Sequence, residues 1–449
     1  MAKTKVKFVC TSCGCESLRW LGKCPECESW NTFQEEIVET AKHKISSPTK
    51  NSLPKKIDEI SSFEEERIKT KIEEFDRVLG GGLISGSVVL IAGDPGIGKS
   101  TLVLQAAAKI NKTVLYVSGE ESAQQIKLRA SRLKISSESL LILAETDLHT
   151  IQHIIKNESP KVVIIDSIQT MVNANFENSA GTVTQIRECT AALLESAKRD
   201  NFSVIIVGHV TKDGTIAGPK ILEHIVDTVI QFEGDVKNSY RILRAIKNRF
   251  GSTNEIGIFE MHDTGLLEVT NPSKVFLGDR ETLISGNVVT ASIEGTRPLL
   301  IEVQALVTPS HFGNPQRVTT GFDYRRLSIL LAVLEKRANI RVSAHNVFLN
   351  LAGGVKIDEP AIDLAVCCAV ASNLTDKIAD PNSVVVGEVG LGGELRSISQ
   401  IEKRILESEK LGFSRIFIPS ANKKLLRTKS TIKVIAVGNL AEALTLLLS

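Results

Sequence analysis

The sequence predicts an α/β protein: a parallel-sheet nucleotide-binding core, a small N-terminal metal module and a further C-terminal α/β domain. Three observations predict it. From Ile57 to about Asn271 apolar strand runs alternate with helical segments, the pattern of a parallel sheet with helical crossovers. One strand-to-helix junction carries a phosphate-loop pattern, and five of the eight cysteines crowd into the first thirty residues. At 449 residues the chain is too long for one core, so two or three domains are expected.

Composition narrows the classes. Hydrophobic residues make up 42% and charged residues 24%, as in ordinary soluble domains. A formal net charge of +2 makes any nucleic-acid surface a local patch rather than a global field. The basic start, Met1 to Lys7, has no apolar stretch behind it to make a signal peptide, and no run approaches the ~20 apolar residues of a membrane span. The expected compartment is the cytoplasm, with no membrane partner.

The first module spans residues 1–33. Cys10-Thr-Ser-Cys13 and Cys24-Pro-Glu-Cys27 are two C-x-x-C knuckles separated by ten residues. Each can place two thiolates on one ion, and facing knuckles give the tetrahedral sulfur set that suits zinc. Clustered pairs without a thioredoxin-like surround argue for metal rather than disulfide. Trp20 and Trp30 are candidates to cover so small a module, while Cys15 is left over. Residues 34–56 are polar and poor in large apolar groups, and read as a linker.

The core is assigned to residues 57–271. Val88 to Ile91 has strand character and Leu102 to Lys109 helical character. Between them Gly93-Asp94-Pro95-Gly96-Ile97-Gly98-Lys99-Ser100, followed by Thr101, is the Walker A pattern. Its glycines let successive N–H groups converge on phosphate oxygens at a helix N-terminus. Lys99 is expected to reach the β and γ phosphates of ATP, and Ser100 to complete a magnesium shell. Further strands are expected at Thr113–Ser118, Leu140–Leu143, Lys161–Asp166 and Phe202–His209. Asp166 closes an apolar run, the Walker B arrangement, and is the second magnesium residue. Glu120, beyond the strand after the loop helix, is the candidate for activating water, with Glu121 the alternate. Cys189, Cys367 and Cys368 lie in apolar helical surroundings and read as buried hydrophobes.

His209-Val-Thr-Lys-Asp-Gly-Thr-Ile-Ala-Gly-Pro-Lys-Ile-Leu-Glu-His224 and Lys247-Asn248-Arg249-Phe250-Gly251 resemble signatures of the bacterial RadA (Sms) DNA-repair family. So does the order of zinc knuckles, RecA-like ATPase core and a C-terminal domain similar to the Lon protease domain. The resemblance covers nearly the whole chain. It implies a DNA-stimulated ATPase of recombinational repair, working on single-stranded and branched DNA by branch migration or helicase-like movement. It further implies a homo-oligomeric ring, taken as a hexamer, and a RecA-type recombinase as a possible partner. In that family the Lys-Asn-Arg-Phe-Gly motif couples ATP to DNA work, which marks residues 247–251.

Read from residues alone, Lys247 and Arg249 alternate at the end of a strand, and two cations together could meet a neighbour's γ-phosphate. The loop from Thr211 to Lys220 carries Lys212, Lys220 and two glycines, which suits sequence-independent contact with a DNA backbone. For His209, sensing the nucleotide and a plain core or capping role both stay open.

The last domain is assigned to 272–449, with strands near Gly286–Ile293 and Leu299–Val307 and helices near Arg325–Arg337 and Ala361–Ser372. Val384 to Leu395 and Lys356-Ile-Asp-Glu-Pro-Ala361 resemble the Lon proteolytic domain. That resemblance implies a serine–lysine pair. Ala361 stands where the serine belongs and Glu402 where the lysine belongs, with Lys403 adjacent. Alanine has no oxygen to attack a carbonyl, so the fold is expected without the peptidase. The domain reads as a scaffold for assembly and DNA contact, with Lys403-Arg404 and Lys423-Lys424 as candidate basic segments. The rival functions are an ATP-dependent peptidase and a non-motor ATP-binding regulator of the same superfamily.

Overall fold

The computed structural model describes residues 5–10, 15–26, 28–38, 67–209, 219–234, 240–253, 255–271, 273, 276–277, 284–310, 313–354, 356–427 and 430–448. The chain divides into two compact units, Met1–Glu268 and Val269–Ser449.

In the first unit, β1 (Lys5–Cys10) pairs antiparallel with β2 (Glu16–Ser17) and β3 (Phe33–Val38). The expected linker therefore starts too early: residues 34–38 are strand, because the backbone of Gln34–Val38 completes the ladder with Lys5–Val9. A polar strand can hold an edge of so small a sheet when its partner supplies the hydrogen bonds. Residues 39–56 lie outside the described ones. The tryptophans do not cover this module either, for Trp20 is 53% and Trp30 70% exposed. Its core is Cys10, Cys24 and Phe33.

The main sheet has nine strands. β4 (Val88–Gly93), β5 (Val114–Ser118), β6 (Leu140–Ala144), β7 (Val162–Asp166), β8 (Ser203–His209) and β9 (Thr228–Glu233) run parallel, with β4 between β8 and β9. β10 (Tyr240–Asn248), β11 (Ile256–His262) and β12 (Gly265–Glu268) extend it antiparallel beyond β9. Because side chains alternate along a strand, each face of this apolar sheet builds its own core. Val89 and Ile91 join Val162 and Ile164 on one face, while Val88, Leu90 and Ala92 join Val163 and Ile165 on the other. The first face is covered by α1 (Glu73–Val78), α2 (Lys99–Lys109) and α3 (Ala123–Arg132). The second is covered by α4 (Leu148–Glu158), α5 (Val183–Asp200) and α6 (Pro219–Ile225).

The second unit is built on a seven-stranded sheet. It includes β13 (Asn287–Glu294), β14 (Arg297–Pro309) and the parallel strands Ser383–Val385, Arg415–Pro419 and Lys433–Val437. Helices Tyr324–Ala338, Asp363–Thr375 and Ile401–Lys410 belong to it. Cys367 and Cys368 lie fully buried in the second of these, and Cys189 in α5. No described helix is long and apolar enough to cross a membrane.

Candidate nucleotide site and its two sheet edges

Parallel register brings the carboxyl ends of β4, β5, β7 and β8 to one edge, where Gly93 is paired with His209 and Ser118 with Asp166. Five apolar residues ahead of Gly93 anchor the strand, and the chain then turns through Gly96 (φ +78°) and Gly98 (φ +115°) into α2. Those left-handed conformations strain any residue with a side chain. Nothing lies within 4 Å of where a Cβ on Gly96 would sit, so the loop is open for a phosphate.

Lys99 is almost fully buried, and its ammonium donates to the carbonyls of Gly93 at 2.6 Å and Asp94 at 2.8 Å. Burial pulls its pKa down to about 8, against the upward influence of Asp166, Asp94 and Glu120. Ser100 Oγ donates to Asp166 Oδ1 at 3.1 Å, joining the two expected magnesium residues directly. Glu120 Oε1 accepts from Ser167 Oγ at 2.6 Å and lies 3.3 Å from His209 Nε2. Glu121 turns away and pairs with Arg129 at 2.9 Å. The structure therefore gathers Gly93 through Thr101, Glu120, Asp166 and His209 at one sheet edge.

Two residues here escaped the sequence reading. Tyr116, fully buried, donates to Asp166 Oδ2, and Arg129 donates to Tyr116 Oη at 3.1 Å. Burial pushes the Tyr116 phenol well above its ordinary pKa, so it stays protonated. The available signals were a phenol in the otherwise aliphatic run from Val114 to Val117 and the Ser122–Gln125 capping box that starts α3 and sets the position of Arg129.

Lys247 and Arg249 lie at the opposite edge. Asn248 pairs with Thr228, at the start of β9, and Asp227 Oδ2 accepts from Val88 N, at the start of β4. The six residues of β4 place that edge about 17 Å from the phosphate loop. Lys247 Nζ donates to the carbonyls of Glu223 at 2.5 Å and Val226 at 2.9 Å, at the end of α6, and Arg249 Nη1 donates to Asp227 Oδ1 at 3.2 Å. Burial, then the charge of Arg249, lowers the Lys247 pKa. A register shift between Ala245 and Lys247 re-aims this end of β10.

The five residues of the motif sit in different surroundings. Asn248 is buried, donates to Val78 O at 3.4 Å and accepts from Phe250 N at 3.0 Å. A Cβ on Gly251 would sit 3.1 Å from Asn248 Nδ2 and 3.2 Å from Gly80 Cα. Asn248 and Gly251 thus hold the turn against the Gly80 segment, because an amide is the group that can satisfy a buried turn's N–H and C=O together. Phe250 is half-buried, and its carbonyl accepts from Arg67 at 2.7 Å. Lys212 lies outside the described residues, and Lys220 falls on α6.

Comparison with known proteins bears on the whole chain. It is 52% identical to the DNA repair protein RadA of Bacillus subtilis (strain 168), over 99% of both chains. It is 51% identical to that of Listeria monocytogenes, over 99% of this chain and 98% of the relative, and 48% to that of Streptococcus pyogenes serotype M1, over all of both. The chain belongs to the RadA family. Within the chain, residues 8–35 match the rubredoxin metal binding domain, 54–215 the AAA domain and 323–422 the ChlI subunit of Mg-chelatase. The AAA domain implies ATP and magnesium, and the metal binding domain implies zinc.

The residues present fit these groups. An open glycine turn, a buried ammonium and a serine–carboxylate pair form one continuous cradle for a triphosphate and its cation. At the N-terminus, Cys10 N donates to Cys15 O and Cys24 N donates to Ser29 O, both at 2.9 Å. Two equivalent turns thus carry the buried thiols of Cys10 and Cys24 into one cluster, with Cys15 packed beside them. Cys13 and Cys27, the other expected zinc ligands, lie outside the described residues.

In the C-terminal unit, Ala361 is buried in the turn Pro360–Ile362. Neither expected lysine position reaches it. Glu402 Oε1 accepts from Arg427 N at 2.6 Å, and Lys403 donates to Thr296 O at 3.3 Å. The side chain that crosses instead is Arg404, wholly buried, which bonds Glu359 and the carbonyls of Ala291 and Ser399. A neighbouring cavity of about 300 Å³ is lined by Phe322, Arg326, Asp358, Glu359 and Asp363 among others, with no hydroxyl, thiol or lysine. Among the described residues that line it, none supplies the serine or lysine of a serine–lysine peptidase.

Proposed function

We propose that this protein is a DNA-dependent ATPase of recombinational repair, moving along single-stranded or branched DNA as a ring of six copies in the bacterial cytoplasm. One observation carries the reading: the phosphate loop and the Lys247–Arg249 pair occupy opposite edges of one sheet. A protomer cannot bring its own cations to its own nucleotide across about 17 Å. A neighbouring copy can, and a ring supplies a neighbour to every site. Lys247 and Arg249 then meet the γ-phosphate of the adjacent protomer as it acquires charge. Gly93 to Thr101 cradle ATP, Ser100 and Asp166 hold magnesium, and Glu120 orients the attacking water.

Lys247 also grips the end of α6, the helix that follows the segment carrying Lys212. Exchange of those carbonyls for a phosphate would release α6, which joins ATP turnover to the DNA-contacting loop. A role in DNA repair agrees with the relatives' printed name, and work on branched intermediates beside a RecA-type recombinase is part of the proposal.

The decisive experiment measures ATP turnover with and without single-stranded DNA across a salt series, for the wild type and Lys247→Ala. DNA should stimulate the wild type, with the stimulation fading as salt rises. Lys247→Ala should bind nucleotide normally and lose the stimulation. A protein that stays monomeric with nucleotide and DNA and consumes no ATP overturns the proposal. The peptidase reading predicts casein cleavage, which the Arg404–Glu359 pair at the Ala361 site opposes.

A further inference from the structure

Asp166 is bonded on both carboxylate oxygens, and the two bonds differ in kind. Oδ1 accepts from Ser100 Oγ on α2, facing the phosphate loop. Oδ2 accepts from Tyr116 Oη, facing the core. The direction of the second bond is unambiguous. A guanidinium can only donate, so Arg129 Nη2, at 3.1 Å, occupies the phenol oxygen as an acceptor. The single phenol proton must then go to Asp166.

Arg129 is itself committed to Glu121 at 2.9 Å, and lies 3.9 Å from Asp166 Oδ2. The phenol therefore stands beside a carboxylate and a cation that form only a long ion pair, at 3.9 Å. Packing does not demand it. The other residues of β5 from Val114 to Val117 are aliphatic, and Tyr116 belongs to the same apolar cluster as Ile126, Ala130 and Ile164, the last its register partner on β7. Phenylalanine would satisfy those contacts. A hydroxyl in such a place costs free energy unless it is bonded, and the bond it makes is to the metal carboxylate.

We propose that Tyr116, oriented by Arg129, is a positioning residue for magnesium: it holds Asp166 Oδ2 so that Oδ1 stays presented beside Ser100. The inference rests on the ATP–magnesium reading of this site. Without the phenol, Asp166 loses a donor and gains a free path to Arg129, and closing that gap swings Oδ1 away from Ser100. Partners of this second kind typically set metal affinity by about 10- to 100-fold.

The test is binding of a fluorescent, non-hydrolysable ATP analogue as magnesium is titrated, for the wild type, Tyr116→Phe and Arg129→Met. With a chelator present, Tyr116→Phe should bind the analogue as the wild type does, to within about twofold, since Lys99 and the glycine loop are untouched. Its magnesium half-point should rise about tenfold. Arg129→Met removes both the orienting donor and the competing cation, so its half-point should rise less, about threefold. An overlay of the Tyr116→Phe and wild-type curves overturns the proposal. So does an equal loss of binding with and without magnesium, which marks a purely structural role. Should Tyr116→Phe fail to fold, an unmoved half-point in Arg129→Met overturns it. A wild type that binds the analogue with magnesium but never turns over ATP defeats the ATPase reading and leaves this one standing.

Discussion

Lys99 should make ATP binding fail on the alkaline side, at a pH where an exposed lysine would be indifferent. Its folded pKa is about 8 without nucleotide, because burial penalises the ammonium. A bound triphosphate needs the protonated form and returns the pKa towards the ordinary lysine value of about 10.4. Nucleotide binding therefore takes up a proton between those two values. The dissociation constant scales with the inverse of the protonated fraction, so affinity should drop about 20-fold between about pH 7.5 and about pH 9.5. Free-protein stability moves the other way. The folded pKa lies below the unfolded one, so the unfolded chain binds more protons in that window and stability rises with pH across it.

The assay is fluorescence titration of an ATP analogue in chelator, starting above the last phosphate ionisation at about 6. Lys99→Arg is the control, because a guanidinium does not titrate in this range. Its affinity should be lower throughout but flat with pH. A wild-type affinity that stays level through about pH 9.5 would refute the argument, since the ammonium would then be protonated before ATP arrives.

Two further outcomes are expected. Glu120→Gln should keep ATP affinity and lose turnover by about 10²- to 10⁴-fold in a single-turnover assay, the usual weight of a general base; undiminished turnover removes Glu120 from the mechanism. Arg404→Met should strip Glu359 of its buried partner and cost about 3–5 kcal/mol in denaturant unfolding of the C-terminal unit, and a loss under about 1 kcal/mol would show that the pair is not desolvated as described.

Local chemistry was legible because it is written in short range. Strand, glycine turn, lysine and serine stand within fifteen residues from Ser87 to Thr101, and backbone conformation there depends on the glycines themselves. Continuous apolar runs likewise marked the buried strands Val88–Gly93, Val162–Asp166 and Ser203–His209. Legibility failed where a residue's meaning depends on a distant partner. Gln34–Val38 is polar enough for a tether and becomes strand only because Lys5–Val9 supplies its hydrogen bonds.

The site divides in the same way. Sequence alone determined which groups can cradle a phosphate, hold a divalent ion or bind zinc, since donor type and spacing decide that. Tertiary structure alone decided where they point. It turned Glu120 to Ser167 and His209 but Glu121 to Arg129, buried Asn248 in its own motif, and set Lys247 and Arg249 at the far end of the sheet. Strand direction and register produce those outcomes, and both arise from pairings between segments tens to hundreds of residues apart, which no local window contains.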